Sequence, residues 1–128
     1  MCRLRERERA LIAGLILLDQ LFKYFTLKSG SAFVNNGISF GISFDCCLVP
    51  LLAIFLAWVG FFYFKYKQRT FLFLILVGGG SNLLDRILYG GVVDYIRLFA
   101  LPVFNLADVM VVGGAFWFVV DFFFGKKI

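Results

Sequence analysis

The 128-residue chain is 62% hydrophobic, carries 18 Phe and has only 16% charged residues. No soluble core of this length could hide so much apolar surface, so a soluble globular domain is excluded and a bilayer protein is expected. The net charge of +5 is not spread as a nucleic-acid patch. It sits in three clusters, Arg3/Arg5/Arg7/Arg9, Lys65/Lys67/Arg69 and Lys126/Lys127, which punctuate the apolar runs and read as a topology signal.

In chain order, four apolar segments fall at about 10–27, 48–64, 70–88 and 106–124. Each is of the length needed to cross the hydrocarbon layer. The Arg-rich start resembles a signal peptide, but no small-residue cleavage box follows and "DQLFK" continues the helix, so a retained anchor is expected. Within it Asp19 and Lys23 are four apart with the acid first, the favourable order for an ion pair on one face.

Between the first two segments, "ISFGISF" at 38–44 alternates apolar and small polar residues, which is strand periodicity. Asn36-Gly37 just before it is a turn signal, so a hairpin over about 31–45 is expected, with "SAFV" as its partner strand. The three cysteines, Cys2, Cys46 and Cys47, and the absence of histidine argue against a zinc or haem site. The Cys46-Cys47 pair reads as small hydrophobic residues.

The third segment runs into "VGGGSNLLDRIL". Gly78, Gly79, Gly80 and Ser81 allow a close helix approach. Asn82, Asp85 and Arg86 are expected on one face, with Asp85 holding the Arg86 guanidinium ready to donate hydrogen bonds. Asp94 follows, and Asn105 and Asp108 open the fourth segment, where both residue types are also ordinary helix caps.

The N-terminus, the "KYKQR" turn and the C-terminal "KK" hold nine basic residues. They therefore mark the cytoplasmic side, with both termini inside. Asp94 and Asp108 then meet the opposite surface at one depth. The basic segments are suited to anionic lipid head groups. Two adjacent carboxylates share a proton and do acid and base work together, hydrolysing a peptide bond without metal or covalent nucleophile. Acids beside membrane spans also suit a small proton- or ion-coupled transporter subunit, and polar residues there also serve as interhelical glue in an assembly subunit. The residues alone leave these open.

Four blocks in order, "DQLFK", "NNGISFG", "SNLLDRILYGGVVDYI" and "VFNLADV", resemble the lipoprotein signal peptidases (signal peptidase II), bacterial membrane aspartyl proteases. The resemblance implies a single membrane domain over 1–128, all-α, with four transmembrane helices and a small β-rich cradle on the extracytoplasmic face of the cytoplasmic membrane. It implies that Asp94 and Asp108 are catalytic, that Asn35, Asn82, Arg86 and Asn105 contact substrate, and that Asp19, Lys23, Gly37 and Asp85 support the site. No metal or cofactor is expected. The implied substrate is a prolipoprotein, cut just before a diacylglyceryl-modified cysteine, and one copy of the chain suffices for the dyad. The chain departs from the family in being short, in a trimmed segment between Asp94 and Asn105, in Ile38-Ser39 where two alanines are frequent, and in the glycine run before Asn82.

Overall fold

The computed structural model describes residues 6–35, 48–66 and 69–125. Four helices carry the fold: α1 Glu6–Ser29, α2 Leu48–Lys65, α3 Thr70–Tyr89 and α4 Leu106–Phe124. All four are long and apolar enough to cross a membrane. They alternate in direction, so the ends of α2 and α4 and the start of α3 lie at one end of the bundle. The ends of α1 and α3 and the starts of α2 and α4 mark the other.

Burial is inverted relative to a soluble protein. Leu11, Ile54, Phe116 and Phe123 are mostly exposed, while the largest fully buried side chains are Lys23, Val93, Asn105, Asp19 and Asp85. Lipid solvates the outer faces, and the interior is left for groups that satisfy one another. An apolar cluster of Ile12, Val59, Tyr63, Phe71, Leu72, Ile75 and Met110 packs the remaining interior. At the end away from the loop after α3, Arg69 forms an ion pair with Asp121, tying the start of α3 to the end of α4.

Helices α3 and α4 approach at glycines on both sides. A Cβ on Gly78 would lie 2.7 Å from the Ala107 carbonyl oxygen, and one on Gly114 would lie 2.7 Å from that of Phe71. Of the expected small-residue stripe, only Gly78 admits a neighbouring backbone. Gly79 receives the Leu56 side chain and Gly80 has nothing within 4 Å, while Ser81 is a polar partner described below. Gly114 was not singled out in the sequence, because a Gly-Gly pair inside an apolar run gives no sign of which helix it will meet.

Helix α3 stops at Gly90, whose left-handed φ of 75° suits glycine. The chain then turns into β2 Val92–Asp94, which pairs antiparallel with β1 Phe33–Asn35, Phe33 facing Asp94 and Asn35 facing Val92. Strand β1 is thus paired across the bundle with residues that follow α3. The expected hairpin strand at 38–44, the Asn36-Gly37 turn and Cys46-Cys47 lie outside the described residues.

Candidate active site

The cap of α4 organises the site. Asn105 is the N-cap and its Oδ1 accepts from the Asp108 N–H at 2.8 Å. In return the Asn105 N–H donates to Asp108 Oδ2 at 3.1 Å. This is a capping box with Asp in the third position. The other Asp108 oxygen, Oδ1, accepts from Asn82 Nδ2 at 2.7 Å. The Asn105 side-chain amide reaches Asp94 Oδ1 at 3.0 Å, Asn82 Oδ1 at 3.0 Å and the Val93 carbonyl at 3.2 Å. The sequence left helix cap and site residue as alternatives for Asn105 and Asp108. In the fold Asn105 does both: its Oδ1 and backbone N–H form the cap with Asp108, and its side-chain amide reaches Asp94.

Asp94 is 3% exposed. Burial, reinforced by the Asp108 charge, pushes its carboxyl up to about 7, against the opposing effects of Lys23 and of hydrogen bonds from Asn35 and Asn105. A carboxyl titrating there is protonated in a large share of molecules near neutral pH, and a shared proton is what a carboxylate pair needs for combined acid and base work.

Beneath the pair lies a buried charge cluster. Lys23 Nζ is 2.6 Å from Asp85 and 2.9 Å from Asp19, all three at 1% exposure or less. It also donates to Ser81 Oγ and Asn82 Oδ1, each at 3.2 Å. With Lys23 and Asn105 both donating to its Oδ1, Asn82 has its amide N–H left to point at Asp108. Ser81 donates to Asp19 at 2.9 Å and accepts from Gln20 at 2.6 Å.

Among the described residues, the hydrogen bonds of Asp85 run elsewhere than to Arg86, the partner expected for it. The Asp85 oxygens take Lys23, the Val93 amide at 3.2 Å and Gln20 at 3.3 Å. Asp85 turns with Ser81, four residues earlier, toward α1 and β2, whereas Asn82 and Arg86, also four apart, line the cleft.

Tyr95, Gln20 and Ser81 were not recognised from the sequence as parts of the site. Tyr95 donates to Asp19 at 2.7 Å and accepts from the Leu106 N–H at 3.2 Å. Its ring stacks on Phe22 at 5.6 Å. Burial and the bond to Asp19 push its hydroxyl well above the ordinary phenol range, so it remains a donor. Asp19 also accepts from the Ala107 N–H at 3.3 Å. The amides of Leu106, Ala107 and Asp108, which an α-helix leaves without partners at its start, are all taken by side chains. The available signal was the i, i+4 spacing of Ser81 and Asp85 opposite Asp19 and Lys23.

Asn35, Asn82, Arg86, Asp94 and Asp108 line one cleft of about 910 Å³. Its remaining wall is apolar, from Leu52, Phe55 and Leu56 of α2 to Val109, Val112 and Phe116 of α4. Gly37 lies outside the described residues. The cleft therefore has a carboxylate pair at its polar end and hydrocarbon along its length.

A family model described as signal peptidase (SPase) II matches residues 11–124. The lipoprotein signal peptidase of Pelotomaculum thermopropionicum is 41% identical over 90 residues, covering 65% of this chain and 59% of that protein. That of Helicobacter pylori is 37% identical over 119 residues, covering 83% and 75%. That of Thermodesulfovibrio yellowstonii is 32% identical over 130 residues, covering 82% and 86%. A solved structure described as a bacterial membrane enzyme shares the fold with a TM-score of 0.81 at 23% identity, over 94% of this chain and 92% of that one. A transporter finds no support in these matches.

Proposed function

The chain belongs to the signal peptidase II family, and we propose that it hydrolyses lipoprotein signal peptides with Asp94 and Asp108 as its catalytic pair. The observation that carries this reading is Asn105, whose side-chain amide donates to the Asp94 carboxylate and whose backbone N–H donates to the Asp108 carboxylate, at the polar end of an apolar cleft. The pair holds one proton. The ionised carboxylate takes a proton from a water molecule as its oxygen attacks the scissile carbonyl carbon, while the neutral carboxyl donates to the carbonyl oxygen. The resulting diol collapses as the amine leaves with a proton returned by the pair.

Asn82 and Asn105 hold the pair in place, and Asn35 and Arg86 contact the substrate backbone beside it. Asp19, Lys23 and Asp85 support them from below, and Gly37 is given a supporting role by the family's motif alone. The apolar wall receives acyl chains, so the substrate is cut on the N-terminal side of a diacylglyceryl-modified cysteine. Such a substrate arrives within the bilayer, which places the reaction at the membrane surface. Of the basic residues, Arg7 and Arg9 at the start of α1, Lys65 at the end of α2 and Arg69 before α3 lie at the opposite end of the bundle, which supports cytoplasmic termini and a site on the extracytoplasmic face of the bacterial cytoplasmic membrane. Every residue of the site comes from one copy, so a monomer suffices.

The test is cleavage of a diacylglyceryl-modified prolipoprotein by the purified chain in detergent, followed by gel shift. The native chain should cut, and Asp94→Asn and Asp108→Asn should not while remaining folded. Cleavage by either variant at the native rate would remove the pair from the mechanism, and equal cutting of an unlipidated precursor would remove the lipid requirement.

A further inference from the structure

The connection between β2 and α4 is a short closed turn. Ile96 and Phe104 pair across it, with the Ile96 N–H donating to the Phe104 carbonyl at 2.8 Å and the reverse bond at 3.1 Å. At its tip the Leu101 N–H donates to the Leu98 carbonyl at 3.1 Å. Phe99 sits just inside that turn with φ at 49°, a left-handed conformation that glycine or asparagine ordinarily supplies and a bulky side chain resists. Its ring is 104% exposed, beside Leu98 at 47% and Leu101 at 61%.

A turn facing water is normally built from Gly, Asn, Asp or Ser. This one reads Arg97-Leu98-Phe99-Ala100-Leu101-Pro102, with a strained backbone holding its largest apolar group outward. The turn belongs to the connection that joins β2 to α4, and at the ends of α3 and α4 on this side of the bundle Ile87, Leu88 and Val109 are also exposed. Arg97, the one charged residue of the turn, is exposed too. Apolar side chains with a neighbouring cation match the boundary between acyl chains and anionic head groups.

We propose that Leu98, Phe99 and Leu101 form an interfacial foot that inserts into the bilayer leaflet at the cleft end of the bundle, with Arg97 at the phosphate level. Leu101, Pro102, Val103 and Phe104 also line the cleft. The same turn is therefore seated in lipid on its outer side and walls the cleft on its inner side. It holds the cleft mouth level with the leaflet, where a lipid-linked chain enters without leaving the membrane. The insertion rests on the turn alone and does not depend on which reaction the cleft performs.

A single-tryptophan protein tests it. Trp58→Phe and Trp117→Phe remove the native tryptophans, and Phe99→Trp places a reporter at the tip. Leu98→Trp serves as a second reporter, free of the left-handed backbone requirement. The full chain is reconstituted into phosphatidylcholine/phosphatidylglycerol vesicles whose acyl chains are brominated at defined depths. The expected result is blue-shifted emission, quenched more by bromines near the head group than by those near the chain ends, and little affected by aqueous iodide. Water-like emission quenched by iodide would overturn the proposal. So would blue-shifted emission untouched by brominated lipid, which would mean that the tip folds over the cleft, or quenching strongest from the chain ends.

Discussion

Asn105 and Asp108 exchange two hydrogen bonds, Asn105 Oδ1 accepting from the Asp108 amide at 2.8 Å and Asp108 Oδ2 from the Asn105 amide at 3.1 Å. Helix initiation and carboxylate orientation are therefore one structure. The carboxylate is fixed because the helix needs its cap, and the helix start is fixed because Asn105 is also bonded to Asp94 and Asn82.

These two duties separate in Asn105→Ser. Serine is as good an N-cap as asparagine, so α4 should hold, with the thermal midpoint in detergent only slightly lowered. Serine has no amide to reach Asp94 and Asn82, so cleavage should fall by roughly 100-fold, the scale expected when a preorganised donor is lost. Parallel measurements of melting and turnover check it, and near-native turnover would show that the cap is the whole role.

The Asp94 carboxyl, pushed up to about 7, sets a pH dependence. Its proton is lost as pH rises through that value, so kcat/KM should decline on the alkaline side with a midpoint near 7. The stability effect follows the same sign. A folded-state value above the unfolded one contributes stability that is fully present below the usual carboxyl range and lost as pH rises to about 7. Asp94→Asn, which never ionises there, should gain in thermal midpoint relative to the native chain between pH 5 and pH 8. An equal gap at both values would contradict the shift.

Lys23 lies between two fully buried carboxylates. Removing it alone, as Lys23→Met, leaves Asp19 and Asp85 uncompensated and should cost about 3–5 kcal/mol. The triple variant Asp19→Asn, Lys23→Met, Asp85→Asn removes the charges together and should recover much of that loss in detergent unfolding. If the triple variant is no more stable than Lys23→Met, the penalty is lost packing and not unpaired charge.

Much of the architecture was legible because bilayer and sequence operate on the same scale. Apolar runs of spanning length, separated by basic clusters, permit few arrangements, and an i, i+4 acid-base pair such as Asp19 and Lys23 is dictated by helix geometry alone. The spacing of Asn82, Asp85 and Arg86 was less informative. Neighbouring helical positions differ in direction by about 100°, so Asp85 faces Lys23 while Arg86 lines the cleft. Periodicity identifies such faces without saying what each one meets.

The sequence by itself determined the four apolar helices, the concentration of Asn and Asp around the start of α4, and the inclusion of Asp94 and Asp108 among the candidates, because these follow from local chemistry and from repeats of a few residues. Only the tertiary structure decided that β1 pairs with β2, that Ser81, Gln20 and Tyr95 join the buried network, and that one asparagine bonds to both carboxylates, to Asp94 through its side-chain amide and to Asp108 through its backbone N–H. Those contacts join residues from separate elements, up to 88 positions apart between Asp19 and Ala107. Their geometry is set by close approaches such as Gly78 to Ala107, where the absence of a side chain, visible in the sequence, acquires meaning only from the backbone that fills the space.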